Sequence, residues 1–354
     1  MKIKELVKVL NEKKQDLALF YNPEKPNPNM QYLSGYTGIG ILAVIKNSKP
    51  FLIAPKMEFE RAKNSMIGEV YSMEKKKFFE SAYGIIRKKT KKIGKIAIDN
   101  NNFTLNSYRA FRKSFRNAKT CDISQECAKM RMLKTAKEIY YLKKSCSYAD
   151  KILQKTLKNF KSFKTESDVA AFLAYETRKN GLELSFEPIV ASGKNGSMPH
   201  HNPQSIRLNN GLCVIDFGVK YKGYCSDMTR MISIGKPSPK EKEMYGLLKD
   251  IQMKSIKMVK HGIKCSSLYD FVVKKLGKYS GNFTHGLGHG VGIEIHEMPN
   301  LTIKSGDLIT DNMVFTIEPG VYFPGKFGIR VEDTLLFQKK TQMLTKTTKE
   351  LLVV

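Results

Sequence analysis

Val214-Ile-Asp-Phe-Gly-Val-Lys-Tyr-Lys-Gly-Tyr-Cys-Ser-Asp-Met-Thr229 consists of two short β-forming runs folded about Lys220-Tyr-Lys-Gly223, with one aspartate in each arm, Asp216 and Asp227. Apolar runs broken by a polar, glycine-bearing tetrapeptide read as a β-hairpin. With the turn centred on Tyr221 and Lys222, Asp216 lies directly opposite Asp227. Opposed residues of an antiparallel pair have Cβ atoms roughly 4.5–5.5 Å apart. Two carboxylates that close repel unless a cation or a shared proton lies between them. The hairpin therefore asks for a metal ion.

The same construction recurs downstream. Val314-Phe-Thr-Ile-Glu318 and Gly328-Ile-Arg-Val-Glu332 flank a stretch with Pro324-Gly325 near its middle, a turn-forming dipeptide. Glu318 and Glu332 are equidistant from Gly325 and so face each other too. His289 sits in Thr284-His-Gly-Leu-Gly-His-Gly-Val-Gly-Ile-Glu-Ile-His-Glu297, where glycines let the backbone approach a ligand closely. That run lacks the Lys-Ser/Thr ending of a phosphate-binding loop and has no strand–loop–helix context, so nucleotide binding is set aside. Four carboxylates and one imidazole then converge. Oxygen-rich ligation with a single nitrogen suits hard or borderline divalent ions and differs from thiolate-rich structural zinc sites. In a two-metal site a bridging water loses its proton near neutral pH while the second ion polarises the scissile carbonyl, which is metal-assisted hydrolysis. Of the six histidines, His200, His201, His285, His289 and His296 lie near these carboxylates in sequence, and only His261 lies apart, with a surface role as its default.

Together these residues resemble the pita-bread metallopeptidases of the aminopeptidase P and prolidase (Xaa-Pro peptidase) type. The Asp pair, the His-Gly-Leu-Gly-His-Gly-Val-Gly run, Thr316-Ile-Glu-Pro-Gly320 and Gly328-Ile-Arg-Val-Glu-Asp333 stand in family order and spacing. Tyr32-Leu-Ser-Gly-Tyr-Thr-Gly38 and Met132-Leu-Lys-Thr-Ala-Lys-Glu-Ile139 resemble the creatinase-like N-terminal domain and its linker, so the resemblance spans nearly the whole chain. It implies two divalent ions, Mn²⁺ first, with Co²⁺, Zn²⁺ and Fe²⁺ as alternatives. It further implies that Asp227 and Glu332 bridge them, Asp216 binds one, and His289 and Glu318 bind the other. By the same resemblance His200 contacts the substrate or its oxyanion, His285 lines the proline-side pocket and His296 hydrogen-bonds the reacting carbonyl region. The resemblance also matches Arg330 to an arginine beside the bridging Glu332, where a fixed cation orients carboxylates bidentately. On the same resemblance His200, His296, Glu318 and Arg330 are expected to form the catalytic group, and His200, His285 and His296 to bind substrate. His201 has no match and is expected to face solvent.

The activity implied is removal of an N-terminal residue before proline by a metal-bridging hydroxide, from Xaa-Pro dipeptides or longer peptides. An Xaa-Pro bond has no N–H, so a peptidase that grips substrates as extended strands loses a hydrogen bond there and needs a dedicated pocket. Methionine aminopeptidases share the five ligands but usually lack a domain like residues 1–125. Creatine hydrolysis is disfavoured because relatives with that chemistry have lost metal ligands kept here. A non-catalytic pita-bread protein binding nucleic acid or protein is the reading from another class.

A chain of 354 residues suits two domains with one core each. The fold class expected is α+β: a small α/β domain over 1–125, then a pita-bread catalytic domain over 126–354 with a curved antiparallel sheet covered by helices. Ile39 to Ile45 and Phe51 to Ala54 form a hairpin pattern, Thr135-Ala-Lys-Glu138 is a capping box opening a helix toward Leu157, and Thr165-Glu-Ser-Asp168 starts another. No segment approaches 18 uninterrupted apolar residues, and Met1 to Asn11 is amphipathic without the apolar stretch of a signal peptide. A soluble, cytoplasmic protein with no membrane partner is expected, and the family resemblance implies a homodimer. The six cysteines form no Cys-x-x-Cys pair; reduced thiols are preferred over a Cys213–Cys225 disulfide. A formal charge of +28, with basic tracts at Lys75–Lys77 and Arg87–Lys92, permits nucleic-acid contact. Lysines spread over the whole chain favour solvated helix faces instead.

Overall fold

The structure is a computed structural model that describes residues 2–73, 77–91 and 93–354. Lys75, Lys76 and Lys92 of the basic tracts lie outside the described residues. The chain forms two compact units, Met1–Arg131 and Met132–Val354.

In the first unit, α1 (Lys2–Glu12) leads into β1 (Leu17–Asn22), α2 (Pro28–Ser34), β2 (Gly40–Ile45), β3 (Phe51–Pro55), α3 (Phe59–Lys63) and β4 (Glu69–Met73). There follow α4 (Phe78–Lys89), β5 (Lys95–Ile98), α5 (Leu105–Ser114), β6 (Lys119–Asp122) and α6 (Ser124–Met132). The described strands form one mixed sheet in the order β4-β3-β2-β1-β5-β6. Helix α1 buries Leu6 and Leu10, one helical turn apart, as its alternation of charge and aliphatics predicts. The β2–β3 hairpin turns at Asn47 with φ 58°, a conformation that asparagine tolerates. Helix α6 runs through position 125, and the chain divides into its two units between Arg131 and Met132.

The second unit opens with α7 (Ala136–Lys158), α8 (Glu166–Lys179), β7 (Glu183–Leu184), β8 (Ile189–Ser192), β9 (Gly211–Asp216), β10 (Val219–Tyr221), β11 (Tyr224–Cys225) and β12 (Thr229–Ile234). After α9 (Pro239–Met258) and α10 (Cys265–Leu276) come β13 (Gly288–Gly290), β14 (Glu297–Leu301), β15 (Met313–Ile317), β16 (Gly320–Phe323), β17 (Phe327–Arg330), β18 (Asp333–Gln338), β19 (Lys340–Met343) and β20 (Leu352–Val353). Capping boxes start three of these helices: Thr135 with Glu138, Thr165 with Asp168, and Ser238 with Glu241. Each satisfies two backbone donors that a helix start leaves open.

Two sheets carry the site, ordered β20-β12-β9-β8 and β14-β13-β15-β18-β19. Their pairs are antiparallel except for β12 with β20. Side chains alternate between faces along a strand. Cys213, Ile215 and Phe217 pack with Leu153 of α7 and Leu173 of α8. Met313, Phe315 and Ile317 pack with Leu248 of α9 and Leu268 of α10. Each such burial contributes roughly 1.5–3 kcal/mol, which fixes both registers and turns Asp216 and Thr316 to the opposite faces of their strands. All six cysteines are free. Among the described residues no helix is long and apolar enough to cross a membrane.

Candidate metal and active site

The position of the first hairpin's turn decides what Asp216 meets. Lys222 (φ 52°) and Gly223 (φ 81°) both take left-handed conformations, the two-residue turn that matches the twist of a hairpin, and Tyr221 pairs with Tyr224 across it. The turn therefore lies one residue beyond the expected centre, and Asp216 pairs with Thr229 rather than with Asp227. A one-residue move of the turn shifts the pairing by two, which preserves the face. Asp227 thus reaches the same cavity as a diagonal neighbour of Asp216.

The second construction keeps the expected register. Ile317 pairs with Asp333 in one ladder and Gly320 with Arg330 in the next, so Glu318 and Glu332 occupy facing positions in the gap between them. His289 is held between two glycines for a steric reason. A Cβ at Gly288 would collide with the Thr316 carbonyl, and one at Gly290 with the Met298 carbonyl. The His289 ring donates from Nδ1 to the Gly290 carbonyl at 3.2 Å, since a carbonyl only accepts. Its Nε2 therefore points at the carboxylates, 3.5 Å from Asp227 Oδ2 and 3.2 Å from Glu318 Oε1.

Asp216, Asp227, His289, Glu318 and Glu332 all line one cavity of about 520 Å³, together with His200, His285, His296 and Arg330. Every candidate residue is thus gathered in one place. Asp227, His289 and Glu332 each offer a ligand atom within 4.8 Å of the others. Burial pushes the carboxyl groups of Asp216, Asp227 and Glu332 above their ordinary values, and neighbouring carboxylates push the same way. Burial also acts to raise Glu318, but the hydrogen bond and charge of His289 outweigh it and hold the group at about 2. For His289 itself burial favours the neutral ring, and Glu318 overrides it upward.

Asp216 Oδ1, Asp227 Oδ1 and Glu332 Oε1 are buried with no hydrogen-bond partner among the described residues. Orphaned carboxylate oxygens are costly, and three of them aimed into one cavity beside an imidazole lone pair are what divalent cations satisfy. The donor set is oxygen with one nitrogen, which suits hard and borderline ions. The residues fit the ions that the sequence implies.

Arg330 lines the same cavity and holds a carboxylate there through a single contact rather than bidentately. Its guanidinium holds Asp216 Oδ2 through one contact at 2.6 Å, and it reaches Glu332 only through Thr229. The link runs from Arg330 Nε to Thr229 Oγ1 at 3.0 Å, and from that hydroxyl to Glu332 Oε2 at 2.7 Å. The Arg330 Nη1 donates to Tyr322 Oη at 2.6 Å. Tyr322 also bonds His285 Nε2 at 3.0 Å, and the His285 Nδ1 donates to the Gly286 carbonyl at 2.7 Å. His296 stands edge-on to His289 with ring centroids 4.3 Å apart. Burial holds both His285 and His296 toward the neutral imidazole.

His201 overturns its expectation. It is 5% exposed and pairs with the buried Glu166 at 2.7 Å. Thr229, Tyr322 and Thr316, whose hydroxyl bonds Glu318 Oε1 at 3.1 Å, were also not singled out in the sequence. The one available signal was their place beside ligands, at Thr229 two residues after Asp227 and at Thr316 two before Glu318.

Residues 140–339 match the model of metallopeptidase family M24, and residues 2–133 match the creatinase/prolidase N-terminal domain. The chain is 33% identical to a Xaa-Pro dipeptidase of Pyrococcus horikoshii, over 99% of this chain and 98% of that protein. The fold is similar to a Xaa-Pro dipeptidase from Bacillus anthracis, with TM-score 0.91, 29% identity, and 100% and 99% of the two chains covered. It is also similar to an X-Pro aminopeptidase from Thermotoga maritima, with TM-score 0.87, 31% identity, and 97% and 99% covered.

Proposed function

The chain belongs to metallopeptidase family M24, and from that premise we propose that it is a Xaa-Pro peptidase that uses two divalent ions to cleave the bond between an N-terminal residue and proline. The observation that carries the reading is the convergence of Asp216, Asp227, His289, Glu318 and Glu332 on one cavity, with three carboxylate oxygens left unpartnered. Asp227 and Glu332 would hold both ions, Asp216 one, and His289 and Glu318 the other. When bound, the ions, Mn²⁺ first among Mn²⁺, Co²⁺, Zn²⁺ and Fe²⁺, supply Lewis acidity and a deprotonated water near neutral pH.

The chain's own residues do the rest. His200 and His296 contact the reacting carbonyl and the charge that develops on its oxygen, and His285 lines the proline side. Burial that keeps His285 and His296 neutral avoids repelling the ions; the one N–H of neutral His285 is held by the Gly286 carbonyl, and His296 keeps a single N–H to donate. Arg330 fixes Asp216, and through Thr229 it fixes Glu332. Ionised Glu318 accepts the proton released by water and returns it to the departing proline nitrogen. Water thereby adds across the C–N bond, its oxygen to the Xaa carbonyl carbon and its proton to proline.

Relatives named as dipeptidases and as an aminopeptidase support both substrate lengths, and a Xaa-Pro dipeptide is the first choice because curated relatives similar over nearly their full length carry that name. The N-terminal domain match over residues 2–133 weighs against methionine aminopeptidase. A cytoplasmic homodimer belongs to the same proposal. The test is proline release from a Xaa-Pro dipeptide beside residue release from a Xaa-Pro-Yaa tripeptide, by chelated protein before and after adding Mn²⁺. Metal-restored cleavage, faster on the dipeptide, is expected. No cleavage of either peptide with any of the four metals would overturn the reading.

A further inference from the structure

We propose that Glu166, acting through His201, is a positioning residue that sets where His200 stands in the cavity. The inference rests on the peptidase reading, which puts His200 in contact with substrate. Glu166 lies in the first turn of α8 and is 0% exposed. Its Oε1 accepts from Ser192 N at 2.8 Å, Ser192 Oγ at 2.9 Å and Asn195 Nδ2 at 3.0 Å. Its Oε2 accepts from His201 Nε2 at 2.7 Å and Gln204 N at 3.3 Å. All five donors belong to the segment 192–204, which carries Pro199 and His200 past the cavity. The Pro199 carbonyl in turn accepts from Arg330 Nη1 at 3.3 Å.

A local role does not account for this arrangement. The start of α8 is already capped by Thr165 with Asp168, so Glu166 is not needed there. Its negative charge in the first helical turn is favoured by the helix dipole. Burial acts against the charge, and the hydrogen bonds from Ser192, Asn195 and His201 outweigh it and keep the carboxyl below its ordinary range. His200, by contrast, is exposed to the cavity, and among the described residues no hydrogen bond holds its ring. Its place is inherited from the backbone, and the neighbouring His201 is the side chain that anchors that backbone in the interior.

The test is a double-mutant cycle of Glu166→Gln with His200→Ala in the Mn²⁺-loaded protein, read as kcat and KM on a Xaa-Pro dipeptide. Metal content and hydrogen exchange of segment 192–204 are measured beside it. A displacement of about 1 Å costs on the order of 100-fold in rate, so Glu166→Gln is expected to lower kcat by about that factor. Metal content is retained and exchange rises only in that segment. In the His200→Ala background the further loss is expected to shrink to about twofold, since residues acting as one unit are not additive. A loss that persists in full in that background, or Glu166→Gln with the parent's kcat, overturns the inference alone. A parent inactive with every metal overturns this and the peptidase reading together. Should Glu166→Gln fail to fold, His201→Gln takes its place in the same cycle under the same criteria.

Discussion

Thr229→Val isolates one hydroxyl on which two buried charges depend. Thr229 is fully buried, donates to Glu332 Oε2 at 2.7 Å and accepts from Arg330 Nε at 3.0 Å. Valine has nearly the same shape, so no cavity opens and the change is confined to the hydrogen bonds. A hydrogen bond to a charged group contributes about 1.5–3 kcal/mol, and at about 1.4 kcal/mol per factor of ten its loss at Glu332 weakens metal binding by roughly 10- to 100-fold. The proton works in the same direction. Burial already drives the Glu332 carboxyl upward and the Thr229 hydroxyl opposes that, so without the hydroxyl protons compete better with metal. Arg330 keeps Asp216 and Tyr322 as partners, and the protein should still fold. Titration calorimetry of Mn²⁺ into chelated parent, Thr229→Val and Thr229→Ser reads the effect directly. Serine, which retains the hydroxyl, should bind within a few-fold of the parent. A valine variant as tight as the parent, or a serine variant as weak as valine, refutes the reasoning.

Chelation should destabilise the protein more as pH rises. Asp227 and Glu332 have folded-state values raised by burial, so the metal-free native state holds protons that the unfolded chain has lost. Its stability therefore falls as pH climbs from about 4 through those raised values. The gap in melting temperature between Mn²⁺-loaded and chelated samples should widen from about pH 5 to about pH 8, and a constant gap would contradict the assignment. Tyr322→Phe removes the hydroxyl that joins Arg330 to His285. It should lower kcat/KM by about 10- to 100-fold while metal content measured by elemental analysis stays at the parent's level. Gly290→Ala would drive a methyl into the Met298 carbonyl. An overpacking cost of about 1–3 kcal/mol is expected in denaturant melts, together with weaker metal binding through the displaced His289.

The site's members were legible because they are separated by short, regular spacings. Glu318 and Glu332 sit symmetrically about Gly325, and the two ladders keep that register. Asp216 and Asp227 were brought together correctly but for a register off by two, because the choice between adjacent turn positions depends on which residue pair accepts positive φ. Lys222 does so here beside Gly223, and no pattern of apolar residues encodes it. The capping boxes at Thr135 and Thr165 were legible for the opposite reason, since both partners lie within one turn. Glu166 with His201, Thr229 with Glu332, and Tyr322 with Arg330 are single polar side chains whose partners are set by tertiary packing. A lone histidine after His200 reads as surface until the chain brings a buried carboxylate to it.

Metal content per chain, measured on the Mn²⁺-loaded parent and on Asp227→Ala with proline release from the same samples, tests the two-metal peptidase most directly. Asp227 has a buried Oδ1 with no hydrogen-bond partner among the described residues and lies 3.5 Å from His289, and under the proposed function it would hold both ions. The account predicts two ions and metal-dependent proline release in the parent, with loss of bound metal and of activity in Asp227→Ala. An Asp227→Ala protein that holds two ions and releases proline at the parent's rate would contradict it.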